Sequence, residues 1–179
     1  MTRMVHSGVV KIWWAAATIP ALLLCAFLVP GYWLQSQAAA PAEPLLPLQP
    51  LIDAAESGAI LTPKPGRYAG PLLITKPLTL DGGSQVTIDG GGAGTVIRVQ
   101  ANSVTLQNLR VVNSGDQHNS IDSGIRIEGE SSVVKDNIIE GCLFGVDLQK
   151  ANRNVVRRNR ITSKADTALG VKGDAIRIW

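Results

Sequence analysis

From Leu78 onward the chain alternates short apolar segments with clusters of Gly, Asn, Asp and Ser. The segments are too short for helices and rich in Val and Ile, so they are predicted strands. They repeat. Val104-Thr-Leu-Gln-Asn108, Val133-Val-Lys-Asp-Asn137 and Val155-Val-Arg-Arg-Asn159 each open on Val and carry Asn four residues later. A second group follows them: Gly124-Ile-Arg-Ile127, Gly145-Val-Asp-Leu148 and Ala175-Ile-Arg-Ile178. The first group recurs after 29 and then 22 residues, the second after 21 and then 30. The underlying period is about 21 to 22 residues, with the surplus in two polar inserts, Asn113–Ser123 and Ser163–Asp174. Weaker copies lie upstream at Leu78-Thr-Leu-Asp-Gly82, Val86-Thr-Ile-Asp-Gly90 and Val96-Ile-Arg-Val99.

A repeat of this length built from strands predicts a solenoid, since one coil cannot bury its apolar face alone and must stack on its neighbours. The expected fold is all-β, a right-handed parallel β-helix with inward aliphatic ladders. Asn108, Asn137 and Asn159 are expected to stack at one corner, where Asn tolerates left-handed backbone. Leu48, Leu51, Ile52 and Ala55 recur at helical spacing before Gly58, which predicts one short helix over 48–57 capping the N-terminal edge. A β-sandwich would show hairpin turns without a repeated Asn, and a leucine-rich repeat would carry more Leu. The last strand runs to Trp179 with no capping element after it, so the solenoid is expected to be truncated there and 48–179 to be its N-terminal part.

Upstream the pattern is different. Residues 1–40 have a basic start, an apolar run from Ile12 to Val29 and a small-residue end at Ala38-Ala39-Ala40. That is the layout of a secretory signal, or of a signal anchor if it is retained, and it predicts export to the periplasm. Pro41, Pro44, Pro47 and Pro50 then favour extended chain, so 41–47 reads as a linker. Splitting the chain here changes its charge. The whole carries a net +3, whereas residues 41–179 hold 15 Lys and Arg against 14 Asp and Glu. A strongly basic nucleic-acid binder is thereby disfavoured. One His, one Cys and no Met remain in that part, which excludes a disulfide framework or a zinc ribbon.

The stretches Leu48-Gln-Pro-Leu-Ile-Asp-Ala-Ala55, Pro65-Gly-Arg-Tyr68 and Ile74-Thr-Lys-Pro-Leu-Thr-Leu-Asp-Gly82 resemble the start of pectate-lyase-like β-helix proteins. Within that superfamily the chain resembles the NosD family over about residues 45–179. The carrying segments are Ile88-Asp-Gly-Gly-Gly-Ala-Gly-Thr-Val96, Asn113-Ser-Gly-Asp-Gln-His118, Ile121-Asp-Ser-Gly-Ile125, Gly141-Cys-Leu-Phe-Gly145 and Gly173-Asp-Ala-Ile-Arg-Ile-Trp179. The resemblance implies a non-catalytic, periplasmic, copper-binding accessory protein for copper-centre assembly of nitrous oxide reductase. It implies as partners an ABC transporter permease and ATPase complex, and nitrous oxide reductase or its copper chaperone. Membrane contact is expected only through the signal or the transporter.

Copper prefers imidazole and thiolate ligands, with carboxylates as helpers. His118 and Cys142 are the only such ligands in the exported part, and stacking Gly124 on Gly145 is expected to bring them out on one side, near Asp116, Asp122 and Asp147. The plainer readings are a solvated His118 and a Cys142 that serves as a small buried hydrophobe. The competing function is a carbohydrate-active enzyme, a polysaccharide lyase or hydrolase. Hydrolysis would need two carboxylates of opposite protonation drawn from Asp81, Asp89, Asp116, Asp122, Asp147 and Asp174. Arg153, Arg157, Arg158 and Arg160 form the densest charge run, read as a solvated face or as a docking patch for an acidic partner. Asp89-Gly-Gly-Gly-Ala-Gly94 lacks the Lys-Ser/Thr ending of a phosphate loop.

Overall fold

The computed structural model describes residues 44–165, 168 and 171–179. The signal or anchor read over 1–40 and the first part of the Pro-rich linker lie outside them. Among the described residues no helix is long and apolar enough to cross a membrane.

The chain winds through two parallel sheets that form three stacked faces, faces 1 and 2 being joined in one nine-stranded sheet and face 3 forming a five-stranded one. Its elements are β1 (Leu46–Pro47), α1 (Gln49–Ala54), β2 (Ala59–Leu61), β3 (Gly66–Ala69), β4 (Leu72–Ile74), β5 (Leu78–Asp89), β6 (Ile97–Val99), β7 (Thr105–Val112), β8 (Ser123–Ile127), β9 (Val133–Lys135), β10 (Ile138–Cys142), β11 (Phe144–Leu148), β12 (Val155–Arg157), β13 (Arg160–Ser163) and β14 (Ile176–Ile178). Face 1 stacks β2, the first half of β5, the first half of β7, β9 and β12. Face 2 stacks β1, β3, the second halves of β5 and β7, β10 and β13. Face 3 stacks β4, β6, β8, β11 and β14, which gives five coils. This is the predicted all-β parallel β-helix.

Alternation along each strand puts one aliphatic residue per coil inward, and neighbouring coils place these in ladders. Leu80, Leu106 and Val134 form the face 1 ladder, and Ile88, Val111 and Ile139 that of face 2. On face 3 Leu72, Ile97, Ile125 and Val146 run beside Ile74, Val99, Ile127 and Leu148. All are buried. Each such side chain contributes about 1.5–3 kcal/mol relative to exposure. The coils measure 19 to 30 residues, yet every face stays in register because the surplus leaves at corners.

The Asn corner differs from expectation by one residue. Thr105, and not Val104, is the partner of Val133. Asn108 therefore shares its row with Asp136 and Arg158, all three with left-handed backbone at φ 54°, 57° and 53°. Asn137 and Asn159 lie in the next row, above Leu109. The slip arose because Val104 and Val133 look alike in sequence but have opposite faces: Val104 is buried, Val133 points outward. A one-residue shift inverts a strand. Asn137 is the fully enclosed member. Its Oδ1 accepts from Leu109 N (3.0 Å), and its Nδ2 donates to Leu106 O (3.0 Å) and to Asn159 Oδ1 (3.0 Å). Asn159 repeats the pattern, donating to Val134 O at 2.8 Å.

The N-terminal edge is closed as predicted, by a shorter helix. α1 has six residues and buries Leu48 and Ile52 against the first coil, whereas Leu51 is exposed. The Gln49 amide acts as a surrogate strand: its Nε2 donates to Leu73 O (3.0 Å) and its Oε1 accepts from Leu73 N (2.9 Å). Lys76 Nζ donates to the carbonyls of Asp53 (2.7 Å) and Ala55 (2.8 Å), satisfying the helix end. Leu46–Pro47, expected as linker, instead pair with Tyr68 and Ala69 as β1.

Candidate functional site

Cys142 follows a left-handed Gly141 at the end of β10 and turns its side chain inward, where it joins the core at 1% exposure. Burial pushes its thiol up, away from the thiolate that copper requires. His118 sits at the exposed tip of the coil 3 insert and meets the Phe144 ring edge-on, with centroids 4.9 Å apart. The stacking of Gly124 on Gly145 is as expected, but it does not bring the two ligands out on one side. Asp122 closes the insert, accepting from Gln117 N (2.9 Å) and from the Ser120 hydroxyl (3.0 Å). Asp116 forms an ion pair with Lys164 of the coil 5 insert. Among the described residues no group of three or more His, Cys, Asp and Glu side chains is placed to hold a metal ion.

The other carboxylates are built into corners and ladders. Asp81 accepts from Asn108 Nδ2 (2.9 Å) and Gly83 N (3.0 Å), which hold it below its ordinary range. Burial pushes Asp89 up, but Gly91 N, Arg67 and Asn113 outweigh it and hold it low. Glu128 is likewise raised by burial and more strongly lowered by Arg98 and Gln100. Such groups stay ionised and make poor proton donors. A consequence follows for stability. A carboxyl whose folded value lies below its unfolded value of about 4 contributes stability above that pH and loses it as pH falls through the folded value. The melting temperature is expected to be level from neutral pH to about pH 5 and to fall below about pH 4. A thermal melt series from pH 7 to pH 2 checks this, and a rise on acidification would contradict it.

His118 lines a cleft of about 460 Å³ with Phe144, Asp174 and Arg177, and further concave surface lies along face 3. The outer row of face 3 reads Leu73, Arg98, Arg126, Asp147 and Arg177 across the coils. Arg98 pairs with Glu128 at 2.6 Å and Arg126 with Asp147 at 3.1 Å. Asp147 is fully buried beneath this row, and its Oδ1 has no hydrogen-bond partner in the protein. Arg177 lies 3.7 Å from the centroid of the Trp179 ring. Two clefts open along this face. One of about 420 Å³ includes Leu73, Arg98 and Arg126; one of about 490 Å³ is lined by Arg98, Glu128, Gln149, Lys150 and Trp179. Their linings combine guanidinium, amide and indole groups with the carboxylates of Glu128 and Asp122. The sequence signal for this row was the repeated Ile-Arg-Ile, whose central residue must face outward when its neighbours face the core.

The run of arginines divides. Arg153 and Arg158 occupy left-handed corners and bond back to the preceding coil, Arg153 to Glu130 (2.6 Å) and Arg158 to Asp136 (2.6 and 2.8 Å). Arg157 and Arg160 are exposed on either side of that corner. The glycine string after Asp89 is a turn, with Gly91, Gly92 and Gly94 at positive φ and Gly92 N donating to Asn113 O at 2.9 Å.

Three stacked faces, parallel register and Asn-closed corners correspond to a known family model, "Right handed beta helix region", which matches residues 81–177. The chain belongs to the right-handed β-helix family. Among curated proteins it is similar to the "Probable ABC transporter binding protein NosD" of Pseudomonas aeruginosa, with 31% identity over 116 residues. The match takes in 64% of this chain and 27% of that protein, so the chain spans about a quarter of the relative's length. No solved structure matches.

Proposed function

We propose that this chain is the exported β-helix of an accessory protein that works with an ABC transporter in assembling the copper centre of nitrous oxide reductase. The observation that carries the reading is the 116-residue similarity to a protein named as an ABC transporter binding protein. A binding role is consistent with carboxylates that are tied into corners and ladders. The carboxylates displaced from their usual range, Asp81, Asp89, Asp136 and Glu128, are all displaced downward by hydrogen bonds and ion pairs. Copper is then cargo passed between partners, and this reading does not assign it to His118, which is exposed, with Cys142, which is core. The test is deletion of the gene in a nitrous-oxide-respiring host. The expected result is exported nitrous oxide reductase with most of its copper–sulfur absorption missing, restored by the wild-type gene and by a His118→Ala/Cys142→Ala gene. An enzyme with full copper content in the deletion strain, or turnover of pectin or alginate by the purified protein, would overturn the proposal.

A further inference from the structure

The geometry points to the outer surface of face 1, over coils 4 and 5, as a docking site for an acidic protein segment. It deepens the partner-binding reading and rests on it only in taking the chain to act through proteins. Two outward rows run side by side there. One is Thr105, Val133 and Val155; the other is Gln107, Lys135 and Arg157. Lys135 is the direct ladder partner of Arg157. Neighbouring strands lie about 4.8 Å apart, so two cations are stacked where like charges are destabilising.

Arg98 and Arg126 are also ladder partners, but each of them has a carboxylate of its own. Seven of the chain's cations reach a carboxylate within ion-pair distance. Among the described residues Lys64, Lys76, Lys135, Lys150, Arg157, Arg160, Lys172 and Arg177 do not, and of these only Lys135 and Arg157 are direct ladder partners. The one acid beside that pair, Asp136, is held by both Nε and Nη2 of Arg158. Asp81, at the far end of the row, is bonded to Gln107 at 2.6 Å. Lys135 and Arg157 therefore have no ion pair of their own and share only the longer-range attraction of Asp136, with Asp81 acting on Lys135. The neighbouring row is apolar, and Val155 is 44% exposed. A complementary surface presents carboxylates beside aliphatic side chains.

That chemistry selects among anions. Membrane-binding clusters use about four to eight basic residues, more than are stacked here. Nucleic-acid binders carry a strong net positive charge, whereas residues 41–179 carry 15 basic against 14 acidic residues. An acidic amphipathic protein segment matches both rows.

The test uses the full chain and a fluorescein-labelled peptide of Glu and Leu in amphipathic order, followed by anisotropy at low and physiological salt. The wild type is expected to bind it, with affinity falling as salt rises. Lys135→Glu/Arg157→Glu is expected to weaken binding by roughly tenfold or more, and Val155→Ser by a few-fold. The same peptide with Lys in place of Glu is expected not to bind. A thermal melt shows whether the double variant is folded; if it is not, Lys135→Gln/Arg157→Gln replaces it. Equal peptide binding by the folded variant would overturn the proposal. So would a double variant that loses binding to phosphatidylglycerol vesicles but not to the peptide, since that assigns the patch to lipid. Neither readout involves copper or the transporter, so failure of the copper-centre experiment leaves this result standing, and the reverse.

Discussion

Asn137→Ala is expected to destabilise the protein by about 4 kcal/mol, and to lower its melting temperature by roughly 15 °C. Asn137 is 1% exposed, and its amide satisfies the N–H of Leu109 and the carbonyl of Leu106 on the preceding coil. Truncation leaves both backbone groups buried without partners, at about 1–3 kcal/mol each. It also removes the bond to Asn159 at 3.0 Å that ties on the next coil. Asn108→Ala is the comparison. Asn108 makes one side-chain bond to Asp81 and occupies a left-handed corner, so about 1–2 kcal/mol is expected. Equal effects in the two variants, measured by thermal or urea unfolding, would show that the three asparagines do form a single row.

Gly129→Ala is expected to cost about 3 kcal/mol or more. A β-carbon at Gly129 would collide with the carbonyl of Ala101 and stand 3.1 Å from Asn102 N, both backbone of the preceding coil. Overpacking against side chains costs about 1–3 kcal/mol because they can rotate aside. Backbone cannot, so coils 2 and 3 must part. Hydrogen exchange should show it first at Ser103 and Glu128, whose N–H groups donate to Glu130 O and Val99 O across that corner. Gly91→Ala is the contrast. It has open space within 4 Å but φ 65°, so its penalty is conformational and about 1–2 kcal/mol. If the two variants unfold together, the close approach at Gly129 is not what limits the corner.

The fold was legible because Val, Ile and Leu recur at positions that only stacked coils can bury together, and because two Asn-closed repeats lie 22 residues apart in Asn137 and Asn159. The helix was legible as a cap through Leu48 and Ile52, although not in its length, since Leu51 and Ala55 make the apolar stripe look longer than the buried one. The slip between Val104 and Val133 was not recoverable, because identical residues stand at opposite parities. A second Asn corner was missed: Asn154 accepts from Ser132 N at 2.7 Å and Asn102 from Glu130 N at 2.8 Å, with no Val-to-Asn spacing to mark them. The expected emergence of His118 and Cys142 on one side differs from the structure for a related reason. Spacing from stacked glycines fixes where the backbone goes, but the left-handed Gly141 turns the next side chain inward. The stacked cations Lys135 and Arg157 were visible only as part of a longer charge run, because their lack of an ion pair depends on which acid Arg158 takes.

Many of the surplus residues leave the coils at one corner, where Gly90–Thr95 and Asn113–Asp122 meet the turn into face 3 and where Lys164 lies. Gly115 N bonds to Gly94 O at 2.8 Å, and the Lys164 ammonium reaches Asp116 past the tight turn at Leu143. Mutation is consequently tolerated there on different terms from elsewhere. One codon gained inside β8 would turn its remaining side chains to the wrong side. Several codons gained at the corner would only enlarge a loop whose closure cost rises slowly with length. The solenoid thus offers heredity a place where new chemistry can be tried without rewriting the core.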